Sequence, residues 1–326
     1  MKKEITETAS EGKPFDTRLS FCDHIKWIYI KTKFYLGRKK IGIVAIAKNE
    51  GKYIREWVSF HKAVGFDVIY LFNHDSTDNT IEVIQDFIDD GFVKVRNIHG
   101  KRRQLDAYNL GMILTLYECA YVAVIDCDEF LYPCREEDDL RDIVFQEMSA
   151  PGHGGFVVNW QIYGSSGLKE QTDGLVIERF LYRSNIKTLP PNKHIKTIVN
   201  PRTVASWPVS HFPLYIPGYC SYNEDGKPVV GPFNEIDENG PRKLRINHYF
   251  TKSLAEYKER RVLKGVDDWG IRGIEDFYTH DHNEFFDDSA LRYLEKTKEY
   301  MESTQSDRRT PMRLLNKICV SVRKHG

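Results

Sequence analysis

Two carboxylates, Asp126 and Asp128, stand two residues apart where the apolar run YVAVID gives way to CDEFLYP. Carboxylates driven out of a buried strand need a partner, because their desolvation is costly unless opposite charge offsets it. That partner is either a divalent cation bridging to phosphate oxygens or the cations of a salt-bridged structural pair. A D-x-D alone occurs in many solvated loops, but two further polar clusters share this setting. The run IGIVAIA (41–47) ends at Lys48-Asn49-Glu50, and VIYLFN (68–73) runs into His74-Asp75. Placed on neighbouring parallel strands, the three clusters converge on one rim of one sheet, where ligands of such sheets sit. That convergence favours binding of a metal and a diphosphate.

The elements that must position these groups follow from periodicity. Between the first two apolar runs, Ile54, Trp57, Val58 and Val64 recur at helical spacing and stop at Gly65. A helix is expected over 79–90, with Asn79 and Glu82 spaced as a capping box and Gly91 closing it. FVKVRN (92–97) predicts a third strand, Leu105, Tyr108, Met112 and Leu116 a long helix, and 121–126 a fourth strand. Strands alternating with helices predict an α/β fold with a doubly wound, mostly parallel sheet. After residue 150 the pattern changes to short strand-like runs broken by Pro and Gly, which predicts a mixed sheet with long loops. Helices return near Ser253–Leu263 and Ser289–Met301.

Composition narrows the classes. Lys plus Arg and Asp plus Glu both number 47, so no net field draws nucleic acid. No run approaches the roughly 18 apolar residues of a membrane span, and the first thirty residues lack a secretory apolar core. A soluble globular protein is expected, located in the cytoplasm. The six cysteines, at 22, 119, 127, 134, 220 and 319, form no C-x-x-C pair and read as reduced thiols. Segments 24–40 and 308–324 each carry six Lys or Arg and no acid, interleaved with aromatic or aliphatic residues. They read either as packed surface helices or as a peripheral contact with an anionic membrane, here its inner face.

The run IVAIAKNEGKYIREWVSFHKAVGFDVIYLFNHDSTDNT, followed in order by IDCDEFLYP, WQIYGSSG and NHYFTKSLAEYKERRVLKG, resembles glycosyltransferase family 92 and its bacterial family 2-like relatives. The resemblance implies a GT-A type, Rossmann-like sheet with a mixed-sheet acceptor half. It divides the chain into an N-terminal arm (1–40), a transferase domain (41–266, with a nucleotide half at 41–135 and an acceptor half at 136–266) and a C-terminal helical extension with a basic tail (267–326). The activity it implies is transfer of a hexose, galactose or glucose favoured, from a UDP-sugar to a glycan or glycolipid hydroxyl with inversion. Ala47, Lys48, Asn49 and Glu50 would then line the nucleotide pocket, and Asp75 would bond the uracil or ribose. Asp126 and Asp128 would hold Mn²⁺ or Mg²⁺ with His248 as third ligand, and Lys252 would lie near the phosphates. An imidazole beside two carboxylates tilts the choice towards manganese.

Each residue also has a plainer reading. His248 alone is more often a hydrogen-bonded core histidine, and Trp160 more often core than a platform for the acceptor sugar. Arg102, Arg103 and Gln104 open a helix, where they meet phosphate or face water; Gln104 is taken as nucleotide-sugar-binding. Inversion needs a base for the acceptor hydroxyl. His211 in PVSHFP leads, ahead of Asp173 and Glu178, while Asp128 is the expected catalytic carboxylate. Two other classes compete: a haloacid-dehalogenase-like phosphatase, which wants Thr or Ser where Phe130 stands, and a non-catalytic glycan- or nucleotide-binding protein.

Overall fold

The computed structural model describes residues 39–236, 240–263 and 273–302. The basic segment 308–324 and almost all of 24–40 lie outside them. Among the described residues the central sheet has ten strands, built around β1 (Lys40–Ala47), β2 (Val68–His74), β3 (Val93–Ile98) and β4 (Cys119–Val124). These four are parallel in the order β3-β2-β1-β4, the doubly wound arrangement expected of a GT-A type sheet. The sheet then changes direction. β5 is Glu129–Pro133, β6 His153–Ile162, β7 Tyr182–Arg183 (outside this sheet) and β8 Ile195–Val199. Four short strands follow, β9 (Val204–Ser206), β10 (Leu214–Tyr215), β11 (Cys220–Tyr222) and β12 (Pro228–Val229), and then β13 (Leu244–His248). β8 pairs antiparallel with both β4 and β6, so the half after β5 is mixed sheet, as its short runs predicted.

β1 shows why the sheet is buried on both faces. Ile41, Ile43 and Ala45 join one apolar cluster with Trp57 and Phe60, whereas Val44 joins the other with Tyr108, Met112 and Trp207. Gly111 lets the second layer approach closely, since a Cβ there would stand 2.6 Å from Val44 Cγ1. On the first face lies helix α1 (Ile54–Val64), closed by Gly65 at φ 114°. α1 also fastens the chain beyond the carboxylates. The Trp57 indole donates to Glu129 O (2.8 Å), and the Leu131 N–H donates to His61 Nε2 (3.2 Å). Burial pushes the His61 imidazole down to about 3, so it stays neutral and keeps that acceptor.

Two boundaries differ from the sequence reading. The helix expected over 79–90 is a 3₁₀ turn at Glu82–Ile84 followed by α2, Gln85–Asp89. No Asn79 capping box forms, because Asp78 holds residues 78–80 in a turn: its carboxylate accepts the N–H of Thr80 (3.0 Å) and of Gly51 (2.9 Å). The fourth strand ends at Val124 rather than at residue 126, so Asp126 to Asp128 occupy a turn between β4 and β5. Helix α3 runs from Gln104 to Thr115 and α4 from Leu140 to Glu147. Near the C-terminus, the helix Leu294–Glu302 packs on α1, and the Arg55 guanidinium donates to Met301 O (2.9 and 2.7 Å). Among the described residues no helix is long and apolar enough to cross a membrane.

Candidate functional site

The turn after β4 is held from beneath. Glu129 N–H donates to Asp126 O (3.1 Å), and Asp126 N–H donates to the Glu129 carboxylate (3.0 Å). The Asp126 side chain then receives Tyr108 OH (2.7 Å) and Gln104 Nε2 (3.0 Å) on one oxygen and Lys196 Nζ (2.8 Å) on the other. Lys196 rises from β8 and is only 1% exposed; its ammonium also lies 3.5 Å from Glu129 Oε1. Burial would raise the Asp126 carboxyl, but the Lys196 charge outweighs it and keeps the group below the usual range. Glu129 is wholly enclosed, and burial pushes it up to about 8 despite Lys196.

Asp128 belongs to a second cluster. Strand β13 (Leu244–His248) runs antiparallel to β5 and parallel to the end of β6, with His248 opposite both Glu129 and Ile162. That register sets His248 Nε2 3.5 Å from Asp128 Oδ1, while Tyr249 N–H donates to Asp128 O (2.9 Å). Past β13, Ser253 and Glu256 form a capping box, and the helix widens into a π-turn over Lys258–Leu263. Consecutive arginines of that turn reach the carboxylates: Arg260 pairs with Glu50 and Arg261 with Asp128 Oδ2 (2.7 Å). Burial acts against the Asp128 charge, yet His248, Arg261 and Lys252 together hold its carboxyl well below the ordinary range.

These groups surround a cleft of about 250 Å³ at the carboxyl ends of the parallel strands. The structure brings Ala47, Lys48, Glu50, Gln104, Asp126, Asp128, Trp160, His211 and His248 to its wall. Other expected residues stand elsewhere. Asn49, at φ 55°, turns away and accepts the Thr77 N–H (2.7 Å), tying the β1 and β2 loops together. Asp75, at φ 49°, is on the exposed rim with His99 (2.5 Å) and Gly100 N–H (3.1 Å). Lys252 is buried behind the cleft, over the Tyr53 ring and bonded to Tyr249 O (3.2 Å), and burial pushes it down to about 7. Glu178 bonds Leu175 N–H (3.0 Å) and Lys298 (2.7 Å) instead of facing the cleft; Asp173 is exposed in a loop and lines no part of it.

The donor set tests the expected cation. Asp128 Oδ1 and His248 Nε2 face each other closely enough to share one ion with bonds of about 2.1 Å. His248 Nδ1 is buried without a hydrogen-bond partner. Asp126 differs, since both its oxygens are already taken by Tyr108, Gln104 and Lys196. Among the described residues no three His, Cys, Asp or Glu side chains cluster as a ligand set. Asp128 and His248 are thus the two donors that a cation could share, while Asp126 keeps its oxygens on Tyr108, Gln104 and Lys196.

Sequence reasoning missed Lys196, Arg260, Arg261 and Phe250 as parts of this site. A single lysine inside the apolar run IKTIV was the available signal for Lys196, because a buried lysine needs an acid. ERRVL reads as a solvated charge run and carried no such signal.

A family model described as glycosyltransferase family 92 matches residues 45–271. A protein of that family from Ricinus communis is 27% identical over 235 residues, covering 70% of this chain and 39% of its own length. One from Arabidopsis thaliana is 23% identical over 236 residues, covering 68% and 37%. The chain thus spans well under half the length of these curated relatives. Among solved structures, S. aureus TarS in complex with UDP has a TM-score of 0.33 and 16% identity, over 50% of this chain and 47% of that one.

Proposed function

The chain belongs to glycosyltransferase family 92, and from that premise we propose that it moves a hexose, galactose or glucose, from a UDP-sugar to a glycan or glycolipid hydroxyl with inversion. The observation that carries this reading is the strand-end cleft, where Asp126, Asp128 and Glu50 are interleaved with Lys196, Arg260 and Arg261. Such alternation of fixed charges suits a ligand that carries both phosphate oxygens and hydroxyl donors. Family membership also sets aside the phosphatase alternative.

Each side chain has a task in this reading. Ala47 and Lys48 at the end of β1 flank the nucleoside, and Asp75 on the rim accepts from the uracil or ribose. Gln104 and Tyr108 hold Asp126 as an oriented acceptor for the donor. Arg260 and Arg261 stand where negative charge develops on the departing diphosphate, and charges fixed in advance need little reorganisation. Asp128 and His248 would hold a Mn²⁺ or Mg²⁺, which would supply Lewis-acid stabilisation of that same charge. Trp160 offers its indole to the acceptor sugar.

His211 is the proposed base. Its Nδ1–H donates to Ile195 O (3.0 Å), which leaves the Nε2 lone pair for a proton. Burial, and then Lys196, pushes this imidazole down to about 3, so it is neutral before the donor arrives. Diphosphate in the cleft opposes the Lys196 field and raises its basicity. The proposed location is cytoplasmic, with peripheral membrane contact.

The test is UDP release from a panel of nucleotide sugars by metal-stripped protein, with and without added Mn²⁺. One UDP-hexose should be turned over only with the cation and faster with an acceptor. Absence of turnover with every UDP-hexose overturns the donor assignment, and full activity in chelator overturns the cation.

A further inference from the structure

A row of rings leaves the cleft and ends at solvent. The Trp160 indole lies 4.2 Å from the His248 ring and stacks at 4.9 Å on His194, which meets Phe233 at 4.7 Å. Trp160 and His194 are half-buried, whereas Phe233 is 55% exposed. Beyond it opens a groove of about 500 Å³ whose wall includes Phe233, Val230, Asn223, Asn234, Lys227 and Glu235. His211 meets both inner rings, Trp160 at 5.0 Å and His194 at 4.9 Å, so the row is joined to the cleft on this side as well.

The exposed ring is rigidly presented. The residue before it, Pro232, accepts the Ile195 N–H (3.1 Å), and the residue after it donates Asn234 N–H to Lys193 O (2.9 Å). Phe233 itself bridges to His194 in antiparallel pairing. The Asn234 amide donates to Asn159 (2.8 Å) and accepts from Asn223 (3.1 Å). A solvated loop has no need of so many ties. An aromatic ring fixed in place beside amide and charged groups matches a sugar, whose C–H face packs on a ring while its hydroxyls bond at the edge.

We infer that this groove is an outer acceptor subsite, and that the acceptor is an oligosaccharide whose distal sugars rest on Phe233 while its reacting sugar lies at Trp160. The inference rests on the glycan-acceptor reading above and gives it a minimum chain length. Continuity of the rings from the cleft to the groove selects a linear glycan over an unrelated partner. Preorganised contacts of this kind add affinity because little ordering is left to be done on binding.

The test uses the full chain and four linear series of one to five units: malto-, cello-, chito- and β-galacto-oligosaccharides. Affinity is measured by calorimetry, with UDP titrated separately. In at least one series the three-unit and longer members should bind about fivefold or more tighter than the single sugar. Phe233→Ala should erase that gain while leaving UDP affinity and Tm unchanged, and Phe233→Trp should restore it. Affinity that is flat with length in every series, or a gain that survives Phe233→Ala, overturns the subsite. Loss of UDP binding by the wild type with the length gain intact overturns the donor reading and leaves the subsite standing.

Discussion

Replacing Lys196 by methionine preserves much of the side chain's length but leaves Asp126 and the enclosed Glu129 without the ammonium between them. Breaking a buried pair by removing one partner costs about 3–5 kcal/mol. Lys196→Met should therefore lower stability by that order in urea unfolding, and a loss below 1 kcal/mol would show that the pair is not structural. Asp128→Asn tests the other cluster, whose carboxylate meets His248 and Arg261. Turnover should fall at least a hundredfold with the native fold retained, as checked by UDP release and circular dichroism. Near-full activity would remove Asp128 from the machinery. At this scale the sequence revealed acids better than bases. Asp126 and Asp128 were legible because two acids after an apolar strand demand explanation. Arg260 and Arg261 were not, because their reach into the cleft depends on a π-turn that no local periodicity announces.

At the scale of elements, apolar runs marked β1 and β2 to within about a residue, since a strand buried on both faces must be continuously apolar. The pairing of β13 with β5 and β6 was not legible, because register between distant segments is fixed by packing rather than local pattern. Helix α1 supplies a test of how one element holds another. Its Glu56 is buried, and the carboxylate accepts the N–H groups of Val176 (2.8 Å) and Ile177 (3.1 Å). Burial, only partly offset by those bonds, pushes Glu56 up to about 7 from an ordinary 4.5. The folded state thus binds this proton more tightly than the unfolded one. Its contribution is complete below pH 4.5 and is lost as pH rises through about 7. Across that window the stability of Glu56→Gln relative to wild type should improve by about 3 kcal/mol, even though the amide fits two N–H donors poorly. Urea melts at pH 4.5 and 7.5 measure it; a gap that does not change with pH would refute it.

Across the whole molecule, equal numbers of acids and bases hide an uneven distribution. Segments 24–40 and 308–324 hold twelve of the 47 basic residues and no acid. Each Lys or Arg near an anionic leaflet adds up to about 1 kcal/mol, an effect confined to a Debye length. The full chain should therefore sediment with phosphatidylserine-containing vesicles at low salt and leave them at high salt. Deleting 308–326 should weaken that attachment, and indifference to the vesicles at low salt would end the idea. The domain scheme read from sequence separated 267–326 from the transferase body. The structure shows Leu294–Glu302 packed on α1, with Arg55 gripping Met301 O, so at least this part of the extension supports the parallel half of the sheet. Contact between distant segments is again the kind of fact local pattern does not carry.

The pairing of β5 has a consequence during synthesis. Among the described strands β5 bonds to β13 alone, and the two are separated by more than a hundred residues of chain. At usual translation rates, β5 leaves the ribosome on the order of ten seconds before its partner. Throughout that interval the apolar sequence EFLYP presents an unsatisfied edge, open to pairing with any neighbouring nascent chain. The chain through β5 can carry every acidic motif and still lack His248, Arg260 and Arg261, which arrive with or after β13. The chain thus has high contact order at its candidate site, a topology that slows folding and prolongs exposure of that edge.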